Sequence, residues 1–265
     1  MKIMVSNDDG IYADGIWILA QELSQFAKVY IVAPDREQSA EGTSVSLRKP
    51  LRAQKIIPLL PGIEAYSVEG TPSDAVIIGL GKIVPEKIDL VISGINQGSN
   101  LGEDVLISGT VGAALSAYLR EFPAMAVSCP HDRWDKAYLK EVARFTALLT
   151  RRIGSAAVPA SLFLNVNMPD LPLRDVRGVK VTSLAHRSHV NTVEEGHDGK
   201  RAYYVLVRES TNHQANARTD IWAASQGYIT LTPLHLFLND RLPRGLLENL
   251  TCGLFEEFKA SLQQV

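Results

Sequence analysis

The chain has only two cysteines, Cys129 and Cys252, far apart and without the spacing of a metal or redox motif. Disulfide staples and thiolate metal sites are thereby set aside, and both residues read as buried thiols in a reducing compartment. Charge of one sign is also lacking: 27 Lys and Arg stand against 29 Asp and Glu, a formal net charge of -2, with no basic run. A nucleic-acid polymer is therefore not expected as the main partner. No apolar stretch approaches the roughly 20 residues that cross a bilayer, so no membrane partner is expected. The amino terminus lacks the basic-then-apolar pattern of a signal peptide, and a cytoplasmic location is the expectation. Glycines 10 and 15 do not form the G-x-G-x-x-G fingerprint of a nicotinamide site. The histidines at 131, 186, 189, 197, 213 and 235 lie outside the polar loops described below, which leaves no Ser-His-Asp arrangement. His186 and His189 sit in a polar stretch without a third ligand.

What is present is an alternation of apolar runs and helical patterns. Its 265 residues can bury one large core, and a single domain is expected, with a core over about 1–170 and an elaborated part over about 171–265. Ile3 to Val5, a helical pattern at Ile16, Leu19, Ala20 and Leu23, and Val29 to Ala33 form a βαβ unit. Ala65 to Val68 reads as a strand, followed by a helix from Pro72 to about Leu80. That helix should be capped by Thr71, with Asp74 as the acidic partner of a capping box. Leu90 to Ile92 is a strand, Thr110 to Leu119 a helix, Met125 to Val127 a strand and Trp134 to Leu149 an amphipathic helix. Leu162 to Asn167 is expected to close a doubly wound, mostly parallel sheet of α/β class. Beyond it, Val179 to Thr182, Ala202 to Val207 and Tyr228 to Leu231 read as strands, in hairpins rather than βαβ units, and Leu246 to Leu262 as a helix.

In a parallel sheet the carboxyl ends of the strands share one edge, so four polar, glycine-rich segments can meet there. Asn7-Asp8-Asp9-Gly10 follows the first strand. Its oxygens are hard donors suited to magnesium, manganese or calcium, although the same residues also make ordinary turns. Ser93-Gly94-Ile95-Asn96-Gln97-Gly98-Ser99-Asn100 follows the Leu90 strand, and Asn96 could add an amide oxygen to the same cation. Ser108-Gly109-Thr110 opens a helix whose backbone N–H groups and hydroxyls could hold a phosphate, or could be a simple cap. The segment from Pro34 to Ser44 is long for a βα connection, a mark of function. Within it Arg36 could meet phosphate or pair with Asp35 or Glu37. Glu103 and Asp104 read as solvated acids.

Taken together, these motifs resemble the SurE family, the stationary-phase survival nucleotidases. The resemblance rests on Asn7 to Gly10, Ala33 to Arg36, Gly70 to Asp74, Ser93 to Asn96 with Gly98 and Asn100, and Ser108 to Val111. Asn165 to Pro169, Thr219-Asp220, Gly227-Tyr228 and Thr232 to Leu234 extend it. It implies a Rossmann-like core, a metal-dependent phosphatase acting on nucleoside monophosphates, and a carboxyl-terminal β-hairpin and helix extension used in oligomer contacts. One divalent ion per subunit, Mg, Mn or Ca, would be held by Asp8, Asp9, Ser39 and Asn96. Asn7 and Gly10 would shape that corner, while Ser108, Gly109 and Thr110 would face the phosphate. Three departures from the family pattern stand out: Ser116-Ala117, Ile107 and Glu41.

The expected chemistry is in-line attack of water on a phosphoryl group, with Asp8, Asp9 and Asn96 as catalytic residues and Asp9 or a second carboxylate as the base. Two rivals remain, a calcium-dependent nucleoside hydrolase and a nucleotide-binding oligomer without turnover. A homodimer or homotetramer is expected from the strands after residue 170. Tyr12, Trp134 and Trp222 are candidates for stacking on a base, although such residues more often belong to a core.

Overall fold

A computed structural model describes residues 1–235 other than 157, 158, 160, 187, 188 and 211–215. The predicted tail helix and Cys252 lie outside the described residues. Met1–Leu234 form one compact unit. It contains β1 (Lys2–Ser6), α1 (Asp14–Ser24), β2 (Lys28–Pro34), β3 (Ala53–Lys55), β4 (Glu64–Val68), α2 (Pro72–Ile78) and β5 (Leu90–Gln97). There follow α3 (Gly109–Tyr118), β6 (Ala124–Cys129), α4 (Lys136–Ser155), β7 (Phe163–Asn167), β8 (Gly178–Val181), β9 (His189–His197), β10 (Ala202–Ser210), α5 (Asp220–Ser225) and β11 (Tyr228–Pro233).

Nine strands form one sheet in the order β3-β4-β2-β1-β5-β6-β7-β11-β8, and β9 and β10 form a separate two-stranded sheet. From β4 to β7 all neighbours are parallel. β1 sits between β2 and β5, so the chain leaves it in opposite directions across the sheet. In such sheets that switch point opens a crevice at the carboxyl ends of the strands. α1 and α4 cover one face through Ile16, Leu19, Leu139 and Val142 against Val5, Ile92 and Val127. α2 and α3 cover the other through Val76, Val111 and Ala113 against Met4, Val91 and Ala126. The capping box at α2 is present: Thr71 accepts from the Asp74 N–H and Asp74 accepts from the Thr71 N–H.

The sheet departs from the sequence expectation in three places. β5 runs on through Gln97, with a register shift between Ser93 and Asn96, where the glycine and asparagine content suggests a loop. A Cβ at Gly94 would strike the Val127 carbonyl, so only glycine lets β5 lie this close to β6 at the irregularity. Secondly, β7 does not close the sheet. β11 pairs antiparallel to it, and β8 pairs parallel to β11 at the edge. Thirdly, the hairpin after residue 170 is β9–β10, so His189 opens a strand rather than lying in a loop. Periodicity could not reveal these pairings, because partner choice depends on contacts distant in sequence.

Candidate active site

Asn7 to Gly10 turn off the carboxyl end of β1. Gly10 has φ +96°, and a Cβ there would come within 2.9 Å of the Arg36 carbonyl carbon, so glycine is required where the loops after β1 and β2 cross. The crossing is stitched by the Ile11 N–H donating to the Pro34 carbonyl at 2.8 Å and the Gln38 N–H donating to the Asp8 carbonyl at 2.7 Å. Asn7 donates its Nδ2 to the Gly10 carbonyl at 2.9 Å, leaving Oδ1 buried without a partner.

Asp8 is 4% exposed and lies against the start of α3. A Cβ at Gly109 would stand 2.8 Å from that of Asp8. The Thr110 hydroxyl donates to Asp8 Oδ1. Burial pushes the Asp8 carboxyl above its ordinary value, and the bonds from the Thr110 hydroxyl and N–H oppose the shift. Asp9 is pushed up to about 7, first by burial and then by the Asp8 charge, while the Gln97 N–H donates to it. Its Oδ2 is buried without a partner. Two adjacent carboxylates, one of them with an unpartnered oxygen, form a negative corner that a cation would relieve. Among the described residues no group of three or more His, Cys, Asp and Glu could hold a metal. A cation at this corner would therefore draw on neutral oxygens as well, and the hard oxygen set fits magnesium, manganese or calcium.

Asn96 directly precedes Gln97 and is 9% exposed. Its Nδ2 donates to the Gly98 carbonyl at 2.7 Å, which fixes the amide and keeps Oδ1 as an acceptor. Ser39 lies in the β2 loop, where its hydroxyl donates to Glu37 at 2.7 Å. Asp9 and Ser39 share a cleft of about 370 Å³ with Glu37, Gln97, His131 and Trp134. A larger cleft of about 720 Å³, lined by Met1, Arg120 and Ile153 among others, lies at the amino-terminal ends of the strands. It contains none of these groups, and size alone is a poor guide here.

The surrounding segments are pinned by buried polar contacts. The Asn100 N–H donates to Asn167 Oδ1 at 2.8 Å, its Nδ2 to Ser128 at 2.9 Å, and its carbonyl accepts from Asn165 and Asn167 at 2.8 and 3.0 Å. Asp220 accepts from the N–H groups of Gly102, Ala185 and Ile221 at 2.8, 2.9 and 2.9 Å. These contacts fix the approach to α3. The β2 loop is strapped to α3 in turn: the Gly42 N–H donates to the Ile107 carbonyl at 3.0 Å. A Cβ at Gly112 would collide with the Gly42 carbonyl.

Some expectations change with this geometry. The Thr110 hydroxyl, expected to donate to phosphate, donates to Asp8. Ser108 accepts from the Val111 N–H at 3.2 Å as a helix cap. The Gly109 N–H and the Ser108 hydroxyl hydrogen remain as first-turn donors for an anion. Arg36 pairs with Asp35 at 3.3 Å on the surface. Asp104 is buried, not solvated. His131, set aside in the sequence, borders the cleft because the packing of α4 on α1 brings it there. Of the departures, Ser116 and Ala117 are buried in α3, and the Ile107 carbonyl serves the loop strap.

Residues 3–191, which include the candidate ligands and the start of α3, match the family model for survival protein SurE. The chain belongs to the SurE family. A 5'-nucleotidase SurE from Dehalococcoides mccartyi is 55% identical over 235 residues, covering 89% of each chain. Another from that species is 52% identical over 98% of each, and one from Geotalea daltonii is 41% identical over 91% of this chain and 95% of its own. The crystal structure of the Sure protein from Aquifex aeolicus superposes with a TM-score of 0.77 at 31% identity, covering 95% of this chain and 98% of that one. Family membership thus agrees with the resemblance read from the motifs.

Proposed function

We propose that this SurE-family chain is a metal-dependent phosphomonoesterase that hydrolyses nucleoside monophosphates to nucleoside and phosphate. The activity named for its relatives supports the reaction class. One observation carries the site: buried Asp8, held against the start of α3, adjoins half-buried Asp9, which lines a cleft with Ser39, and Asp9 Oδ2 and the neighbouring Asn7 Oδ1 are unpartnered. Asp8, Asp9, Ser39 and Asn96 would hold one Mg, Mn or Ca ion. When bound, such an ion supplies charge neutralisation at a phosphoryl oxygen and a water of lowered pKa.

The chain's own groups then have distinct tasks. Thr110 fixes Asp8 through its hydroxyl. The Gln97 N–H orients Asp9 and leaves its Oδ2 free to face the cation. Gly109 N–H and the Ser108 hydroxyl would stabilise charge on the remaining phosphate oxygens, aided by the positive end of α3.

The extension is read as an oligomer contact. On β9–β10, Val193, Tyr203, Tyr204, Val205 and Leu206 are 61%, 52%, 65%, 46% and 73% exposed, an apolar surface on both faces of the hairpin. A dimer or tetramer would cover it, and a monomeric mass by light scattering would rule that out. Cytoplasmic residence fits the buried, unpaired Cys129. Among the described residues no helix is long and apolar enough to cross a membrane.

The test uses purified protein with Mg, Mn or Ca and adenosine 5'-monophosphate. Equal release of adenosine and phosphate, abolished by a chelator, is expected. Release of free adenine would identify a nucleoside hydrolase, and binding without products a non-catalytic nucleotide binder.

A further inference from the structure

The cleft beside Asp9 and Ser39 encloses about 370 Å³, within the range of about 300–1,000 Å³ typical of small-ligand sites. That is more than a cation and a phosphoryl group fill, so part of it is shaped for the alcohol side of the ester. Trp134 supplies the large apolar surface in that wall, beside the Gln97 amide and His131. Its ring is seated on Gly15: a Cβ there would stand 2.9 Å from the indole Cη2 and 2.5 Å from the Ile95 carbonyl oxygen. The residues on either side of it are anchored. Arg133 Nε donates to Asp170 at 2.7 Å, Asp135 caps α4 through the Ala137 and Tyr138 N–H groups at 2.9 Å, and Lys136 pairs with Asp14 at 3.0 Å. A ring held this way loses little freedom when a ligand stacks on it.

The other two candidate aromatics are placed differently. Tyr12 is 67% exposed and does not line the cleft. Trp222 has the Lys180 ammonium 4.6 Å from its ring centroid and is likewise absent from the wall.

We propose that Trp134 is the platform on which the base of the substrate stacks, with the Gln97 amide placed to meet polar groups of the ribose or base edge. The cleft thereby selects nucleoside phosphates over other phosphate esters. This specificity role rests on the phosphomonoesterase reading above.

The test compares adenosine 5'-monophosphate with glycerol 3-phosphate in the presence of Mg, for wild type, Trp134→Leu and Trp134→Phe. Trp134→Leu should raise KM for the nucleotide about tenfold, the scale of one base–aromatic stack. Its kcat, and both parameters for glycerol 3-phosphate, should stay within about twofold. Trp134→Phe should keep most of the nucleotide preference. An unchanged KM for the nucleotide, or equal losses on both esters, would overturn the proposal. A binding arm separates the two readings: phosphate-free adenosine should quench the tryptophan fluorescence of wild type but not of Trp134→Phe. If wild type hydrolyses neither ester while that quenching difference holds, the phosphomonoesterase reading fails and the base platform stands. Equal quenching in both proteins, or none in either, overturns the platform itself.

Discussion

Asp220 and Asp9 are both carboxylates largely withdrawn from water, yet their surroundings are opposite. Asp220 is fully buried and receives three backbone N–H bonds, from Gly102, Ala185 and Ile221. Burial raises its pKa and these donors pull it back down. Asp9 has one backbone donor, a like charge beside it and an oxygen with no partner. The first arrangement is that of a structural pin, in which the fold meets the group's bonding needs itself. The second leaves those needs open, which costs stability unless something outside the chain meets them. Among the polar strings of this sequence, the difference separates residues that build the crevice from the candidates to act in it.

Substitutions should expose that contrast. The largest effect is expected for Asp9→Asn, with phosphate release reduced about a thousandfold at saturating Mg as a charged ligand is lost. The same change should stabilise the metal-free protein above neutral pH. Asp9 rises from its ordinary 3.8 to about 7, so the folded state keeps a proton the unfolded chain has lost, and stability falls as pH rises through that window. Removing the charge should recover up to roughly 4 kcal/mol at pH 8 and almost nothing at pH 4. Chemical denaturation in chelator at the two pH values checks the sign.

Asp220→Asn should do the reverse, destabilising by about 3 kcal/mol because its amide NH2 would face a backbone donor. A Tm drop of roughly 6–12 °C is expected by calorimetry. If Asp9→Asn lost comparable stability, the distinction between the two carboxylates would collapse. Thr110→Val removes the hydroxyl that orients Asp8. It should weaken apparent Mg affinity about tenfold in an activity titration and change kcat less. The smallest effect belongs to Arg36→Ala: its pair with Asp35 is on the surface, and thermal denaturation should show a change within about 0.5 kcal/mol.

Much of the candidate site is legible along the chain because its groups lie in short strings after apolar runs. Asp8 and Asp9 follow β1, and the Thr71 to Asp74 cap is local chemistry that the structure reproduces. Ser39 was different. As a loop serine beside Glu37 it carries no signal of its own, and only the family resemblance singled it out. Thr110 was named for phosphate, but its bond to Asp8 spans 102 positions and depends on how α3 meets β1. His131 was set aside for the same reason, since nothing near it in sequence points to the cleft. The β5 extension was hidden by Gly94 and Asn96, which favour loops unless a neighbouring strand holds them. The polar alternation of β9 gave no core-facing pattern to read.

The sequence by itself determined the alternation of strands and helices, and with it a parallel sheet whose polar loops gather at one edge. It also determined the chemical type of the site, because hard oxygen donors and a capped helix start are local properties. Tertiary structure alone decided which of those oxygens remain without partners, how β8 and β11 extend the sheet, and that Trp134 comes to line the cleft. These outcomes depend on burial and on pairings between distant segments. A side chain's partners, unlike its type, are fixed only once the whole fold has closed around it.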